Sequence, residues 1–447
     1  MTYDVAIAGA GIGGAYLARL LAQKKFKVAL IDKISKENIG HNWSDSIERA
    51  QIERIIDADS LNDLGFAVEK FIIRAPDGTG GIEFTKYPYL IIDRKKLAKK
   101  LLQDAINAGA EFFQTEALFP LFDDAQVFGV GLKKDGDVQK IAARITVDAT
   151  GIKSILRRDL PKDWLIDTNL FDDSDCAHAY REIRKIDANA PWPPLKILIY
   201  RYGRFRGYSW VHRESESAID IGFGMPATVP LENLKTYVQR ESEGIAGVKD
   251  KMIRGGGGKL PVRRPISNFV ANGFVAIGDS ASQAHPLLGC NTGSIILAAD
   301  FAAEAIEKSL ASKKFGIDTL WSYNAKFMRS RGAALASLDA LRRALQNVSE
   351  EEIGWLLKKG VLGRPALTRS LEILPPKLEI SELVSAALGA LSRTKLMVLL
   401  AQSSSAARDV FLHFRNYPET FDKEAFSRWQ SREKSLFKSI LEMSKRR

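Results

Sequence analysis

Apolar residues crowd the start of the chain in two short runs. Tyr3–Gly9 reads Tyr-Asp-Val-Ala-Ile-Ala-Gly, and Phe26–Ile31 is mostly apolar and ends at Asp32. Between them, Ala15–Lys24 carries Leu17, Leu20 and Leu21 at helical spacing. Short apolar runs bounded by turn signals read as buried strands, and apolar residues three to four apart read as one helix face. The pattern predicts strand, glycine turn, helix and strand. Beyond it, 34–62 is a polar stretch with one unusual patch, Gly40-His41-Asn42-Trp43-Ser44-Asp45. Strands are predicted over 66–74 and 82–92, around the turn Pro76-Asp77-Gly78. A helix over 95–108 puts Leu97, Leu101, Leu102 and Ile106 on one side, with Gly109 placed to end it.

The middle of the chain alternates in strand fashion, over 111–118, 126–133, 140–147 and then repeatedly through 178–225, before a helix over 231–240. The run Gly255–Gly258 reads as a flexible hinge or a tight crossing. A buried strand from Gly273 ends in Gly278-Asp279, and a helix rich in small residues runs to about Ile306. From Asp318 onward the period is helical, with Leu320, Phe327, Leu335, Leu338, Leu341 and Leu345 compatible with a helix face. Ser349-Glu350-Glu351-Glu352 has the form of a capping box. Further helices are predicted over 381–401 and 419–443.

Composition narrows this picture. A chain of 447 residues exceeds a usual single domain, so two or three lobes are expected. Cys176 and Cys290 are the two cysteines, too few for a disulfide framework, which points to a reducing cytoplasm. No apolar run approaches the roughly 20 residues that span a bilayer, and no secretory leader pattern precedes the first strand. The net charge is +11, and residues 311–447 carry 24 Lys and Arg against 14 Asp and Glu. A basic excess in the last third suits an acidic partner, such as an anionic lipid surface. No nucleic-acid module accompanies that charge, so nucleic acid is not expected. Five scattered histidines and two cysteines show no metal-ligand spacing.

The strongest chemical signal is Gly9-Ala10-Gly11-Ile12-Gly13-Gly14, a G-x-G-x-x-G between the first strand and the first helix. Gly9 permits the tight turn, Gly11 lets a pyrophosphate approach the backbone, and Gly14 lets helix and strand pack closely. The helix N-terminus offers unpaired N–H groups to phosphate. Asp32 follows where a ribose-binding acid is expected. These residues predict a dinucleotide site without choosing between NAD and FAD.

Three separated stretches narrow that choice: the glycine turn with Asp32, the pair Asp93-Arg94, and Gly278-Asp279. Together they resemble the flavoproteins of the p-hydroxybenzoate hydroxylase superfamily, which bind FAD in extended form. Within it, the chain resembles the geranylgeranyl reductases. Tyr208-Ser209-Trp210-Val211-His212-Arg213 is similar to that family's Tyr-x-Trp-x-Phe-Pro signature. His285-Pro286-Leu287-Leu288-Gly289-Cys290-Asn291-Thr292-Gly293 is similar to its flavin-facing proline–glycine segment. The region around Leu320-Trp321-Ser322-Tyr323-Asn324, with the helices after it, is similar to its C-terminal part. The implied fold is α/β: a Rossmann-like FAD-binding domain with an inserted antiparallel-sheet substrate domain and a C-terminal helical region. The expected division is 1–160 and 259–312 for FAD, 161–258 for substrate with help from 66–92, and 313–447 for the helices.

The resemblance implies FAD contacts at Gly9, Ala10, Gly11, Gly13 and Gly14, then at Asp32, Lys33, Arg94 and Ala117. Gly278, Asp279, Pro286, Gly289 and Asn291 complete them. It implies reduction of isoprenoid C=C bonds in a lipid, with Tyr208, Trp210, His212 and Phe205 along the substrate wall. His285 and Cys290 are the expected proton donors, with His41 and His212 also considered and Trp43 placed beside the flavin by its loop. Three departures bear on substrate and proton supply. The signature's Phe-Pro is His212-Arg213, the Gly40–Asp45 loop lacks the cysteine often found there, and Cys290-Asn291 interrupts the glycine turn. Asp148-Ala149-Thr150-Gly151 replaces the Asp-Gly fingerprint of the aromatic hydroxylases, which disfavours a monooxygenase. No second dinucleotide module is present, so the reductant is expected to be transiently bound NADPH or a ferredoxin-type protein. The rival readings are a hydroxylase or halogenase-like monooxygenase and a flavin-binding scaffold without turnover. The protein is expected in the cytoplasm, peripheral to a membrane.

Overall fold

The structure, a computed structural model, describes residues 2–85, 87–134, 137–203, 206–290, 292–345, 348–375 and 393–445. Thr2–Ala8 lies centrally in an eight-stranded sheet, flanked by Asp137–Asp148 and Val28–Asp32, with Glu111–Gln114 beyond the latter and Phe274–Ala276 beyond the former. All four of these pairings are parallel. Val5, Ala6, Ile7 and Ala8 are fully buried, as a parallel strand covered on both faces requires. The helices Ile12–Gln23, Arg94–Ala108 and Thr292–Ser312 pack against one another beside this sheet. Asp93 caps the second of them through the N–H groups of Lys95 and Lys96, and Gly109 ends it at φ +110°.

A seven-stranded sheet runs in the order Val248–Pro261, Cys176–Ile186, Ala218–Pro226, Tyr208–Ser215, Ile197–Tyr202, Lys70–Arg74 and Ile82–Phe84. One face is closed by the helix Leu231–Glu243, where Leu234 and Val238 meet Ile219, Ile221 and Phe223. Of the segment 66–92, Lys70–Arg74 and Ile82–Phe84 join this sheet. Gly65–Ala67 and Tyr89–Asp93 instead pair with Ser44–Glu48 in a separate three-stranded sheet.

Two expectations are corrected. Gly255–Gly258 is neither hinge nor crossing; it lies inside the edge strand Val248–Pro261, paired residue for residue with Glu182–Ala179. The polar stretch 34–62, for which no element was predicted, holds the strand Ser44–Glu48 and the short helices Arg49–Ile52 and Ala58–Leu64. Ser44 and Ile47 are buried while their neighbours are half-exposed, a pattern that five residues of mixed polarity conceal.

The C-terminal part is helical. Ile317–Phe327 continues through a π-helical turn, Met328–Gly332, into Ala333–Leu345. Ser349 and Glu352 form the expected capping box for Glu350–Lys358. Thr394–Arg415 and Lys423–Lys445 follow; the first part of the helix predicted over 381–401 and the side chain of Leu345 lie outside the described residues. A buried ion network joins these helices to the rest. Asp339 is held by Arg342 at 2.8 Å and by Arg343 at 3.4 Å, and Arg264 reaches Glu433 at 2.6 Å.

Candidate functional site

At the glycine turn, the three glycines differ in what surrounds them. A Cβ on Gly9 would stand 2.2 Å from the Ala149 carbonyl oxygen, and Gly9 has φ +102°. One on Gly14 would stand 1.9 Å from the Gly9 oxygen, so both positions are closed by packing. A Cβ on Gly11 would meet nothing within 4 Å. That open cradle sits at the N-terminus of Ile12–Gln23, which has no side-chain cap, and it suits a phosphate. Asp32 steadies the turn, accepting the Ala10 N–H at 2.8 Å and the Ile34 N–H at 2.9 Å. Ala117 is buried two residues past Thr115, whose N–H donates to the Asp32 carbonyl at 2.9 Å. Lys33 is exposed and pairs with Glu116 at 3.2 Å. Asp148 is structural: its carboxylate takes the N–H groups of Thr150, Leu156 and Arg157.

A cavity of about 220 Å³ lies between one face of the seven-stranded sheet, the segments around Ser44–Glu48 and Tyr89–Asp93, and Pro286–Cys290. Arg94, Asp45, His41 and Trp43 lie along one side, and Asp279 with Pro286–Cys290 along another. Arg94 contacts Asp45 at 3.2 Å, while its buried Nε has no partner. An open cradle, an acid at the strand end, a cation with an unspent donor and Asp279 fit the phosphates and sugar hydroxyls of FAD.

The open face of the seven-stranded sheet forms the opposite wall. Tyr208, Trp210 and His212 alternate along one strand and all line the cavity. Tyr200 stacks on Tyr208 with centroids 5.0 Å apart, and Tyr208 donates its hydroxyl proton to the Leu288 carbonyl. That bond ties the sheet to the Pro286–Cys290 segment. Trp210 donates Nε1–H to Asp220 at 2.9 Å, and Arg181 lies 4.9 Å over the indole and 3.0 Å from Asp220. Burial pushes the Asp220 carboxyl up, and the Arg181 charge opposes that shift. The floor is glycine. A Cβ at Gly258 would meet nothing within 4 Å, and at Gly256 only the Trp43 ring, 3.6 Å away. Glycine in a strand often marks a close approach by a ligand.

His285 does not fit a proton donor. It is fully buried and is not among the residues lining the cavity. Its Nδ1 accepts the N–H groups of Leu287 and Leu288 at 3.1 and 3.2 Å, and Nε2 lies 2.9 Å from the Ser370 carbonyl. This assigns the Nε2–H tautomer and a turn-holding role, and burial lowers its pKa to about 4. Cys290 does line the cavity, and burial pushes its thiol well up, so Sγ keeps its proton. His41 stacks on Trp43 at 4.5 Å with its pKa lowered to about 4, mainly by burial. His212 is 4% exposed, and neither ring nitrogen has a partner. Phe205 and Asn291 lie outside the described residues. Tyr200, Arg181 and Asp220 were not anticipated; strand alternation marked their shared face, but nothing along the chain said which face opens on the cavity.

The glycine turn on a parallel sheet, with Arg94 and Asp279 lining the cavity, defines an FAD-dependent flavoprotein oxidoreductase. Residues 4–162 match the family model described as lycopene cyclase protein. The digeranylgeranylglycerophospholipid reductase of Sulfolobus acidocaldarius is 25% identical over 435 residues, covering 94% of each chain. The geranylgeranyl bacteriochlorophyll reductase-like protein of Thermoplasma acidophilum superposes with a TM-score of 0.73 at 19% identity, over 90% of this chain and 99% of that one. A flavin-dependent brominase shares the fold with a TM-score of 0.65 at 17% identity, over 88% of this chain and 100% of its own. The chain is thus similar along nearly its whole length to a digeranylgeranylglycerophospholipid reductase and shares the fold of a geranylgeranyl reductase-like protein.

Proposed function

We infer that this enzyme reduces C=C bonds in the isoprenoid chains of a lipid. One observation carries the reading: an aromatic, glycine-floored cavity that ends on Pro286–Cys290 in a chain matching a lipid reductase along nearly its whole length. Bound FAD supplies hydride chemistry, while the protein orients the chain and excludes water. Gly9, Ala10, Gly11, Gly13 and Gly14 take the pyrophosphate with Arg94. Asp32, Lys33 and Ala117 would hold the adenosine end, and Gly278 and Asp279 the ribityl chain. Pro286 and Gly289 would present backbone to the flavin ring. Tyr208 holds that segment against the sheet, and Trp210 gives the chain a flat wall. Cys290 lines the cavity with a proton held at Sγ, so it would be the donor in place of His285.

The division into an FAD domain, a substrate domain and a helical domain follows the sheets. The basic excess of 311–447 supports docking on an anionic lipid surface, in the cytoplasm. No described helix is long and apolar enough to cross a membrane. NADPH or an acidic ferredoxin-type protein is proposed as electron source.

The test is anaerobic reduction of the FAD-loaded protein followed by addition of a geranylgeranyl lipid. Flavin reoxidation with a mass gain of two hydrogens per double bond is expected. A reduced flavin indifferent to prenyl lipids, but reacting with oxygen to hydroxylate or halogenate a substrate, would overturn the reading.

A further inference from the structure

A size argument concerns the substrate chain and rests on the reductase reading. The main cavity, at about 220 Å³, is smaller than the roughly 300–1,000 Å³ of a typical small-molecule site. It has to accept both a flavin ring and a prenyl chain. A second cavity of about 170 Å³ lies beside it, lined by Phe84, Tyr87, Pro88, Thr368, Leu371 and Glu372. Tyr87 is the one residue common to both linings among the described residues. Its ring stands between the two spaces, 4.6 Å from the Phe71 ring and 5.2 Å from the Tyr89 ring. Its hydroxyl donates to Ser46 Oγ across 3.3 Å, long for an O–H···O bond, so the ring is weakly anchored at its tip. The second space is mainly apolar at its inner end, with Phe84 and Leu371 buried, and reaches solvent at Glu372.

We propose that Tyr87 is a gate that sets chain-length specificity. A short prenyl chain is held in the main cavity alone. A longer one displaces the Tyr87 ring and lodges its far end between Phe84 and the helix Arg364–Leu371. Tyr87 and Thr368 then decide how long a chain is accepted, without touching the reacting carbons.

The experiment compares kcat/KM for a farnesyl and a geranylgeranyl lipid, with hydrogens added per chain counted by mass spectrometry and the flavin spectrum confirming a loaded, folded enzyme. Thr368→Trp fills the second cavity from outside the main site. It should leave farnesyl reduction unchanged and lower geranylgeranyl reduction about tenfold. Tyr87→Ala removes the partition and should raise the long-to-short ratio severalfold. An unchanged ratio in both variants, with wild-type turnover intact, overturns the gate and leaves the reductase reading standing. A wild-type enzyme inert toward both lipids overturns the reductase reading, and the gate with it.

Discussion

The two faces of the seven-stranded sheet are built from the same strands and obey different rules. Toward the helix Leu231–Glu243, alternate residues are Ile219, Ile221 and Phe223, all fully buried and packed on Leu234 and Val238. Toward the cavity, the residues between them are Asp220, Gly222 and Gly224, faced by His212, Trp210 and Tyr208 on the next strand. The first face is decided by apolar burial. The second combines absent side chains, aromatic walls and buried charge, features that weaken a core and suit a ligand site. The difference teaches where to look for function: on the face that departs from the burial rule while its neighbour keeps it.

The largest expected break in this contrast is at Arg181. Arg181→Met leaves Asp220 buried with only the Trp210 N–H. Loss of one partner of a buried ion pair costs about 3–5 kcal/mol, and denaturant unfolding should show it. A loss under 1 kcal/mol would mean that Asp220 is protonated in the folded enzyme and needs no cation.

Neighbouring glycines sharpen the comparison. A Cβ at Gly257 would lie 2.6 Å from the Ala179 oxygen, whereas one at Gly258 meets open space. Gly257→Val should therefore lose about 1–3 kcal/mol through overpacking. Gly258→Val should stay within about 0.5 kcal/mol of wild type, yet slow lipid reduction by narrowing the cavity. Equal stability losses at both positions would remove the distinction between packing glycine and ligand-facing glycine.

The smallest effect concerns acid. Burial lowers the His212 pKa from 6.5 to about 4. The unfolded chain takes up that proton as pH falls below about 6.5, and the folded protein takes it up only near pH 4. Stability is therefore lost as pH falls through this window, by about 1.4 kcal/mol per pH unit for one group. His212→Phe removes that share, so unfolding free energies at pH 5 and pH 7 should lie closer together than in wild type. An unchanged gap would show that His212 is protonated when folded, with Glu214 as its counter-charge.

Much of the nucleotide half was legible along the chain because its determinants are local. A glycine turn, an amphipathic helix, a continuous apolar strand and the Asp93 cap each occupy a few consecutive residues. Asp32 could be proposed because it ends a recognisable strand, and Arg94 and Asp279 because their stretches resemble those of a flavoprotein family. Three matters needed the fold. Gly255–Gly258 looks like a hinge until strand pairing shows two of its glycines closing against backbone or neighbouring side chains and two facing the cavity. His285 carries the right functional group at a suggestive place, but the turn contacts with Leu287 and Leu288 and the tertiary contact with Ser370 show both ring nitrogens engaged. Arg181, Tyr200 and Asp220 come from three strands, and Tyr87 from the connection before Tyr89–Asp93, brought together at or beside the cavity. Sequence alone determined most of the strands and helices of the nucleotide half and where phosphate is welcome, because those depend on neighbours along the chain. Which face of each strand meets the ligand was decided by tertiary structure, because a period of two marks two faces without saying which one is covered by a helix.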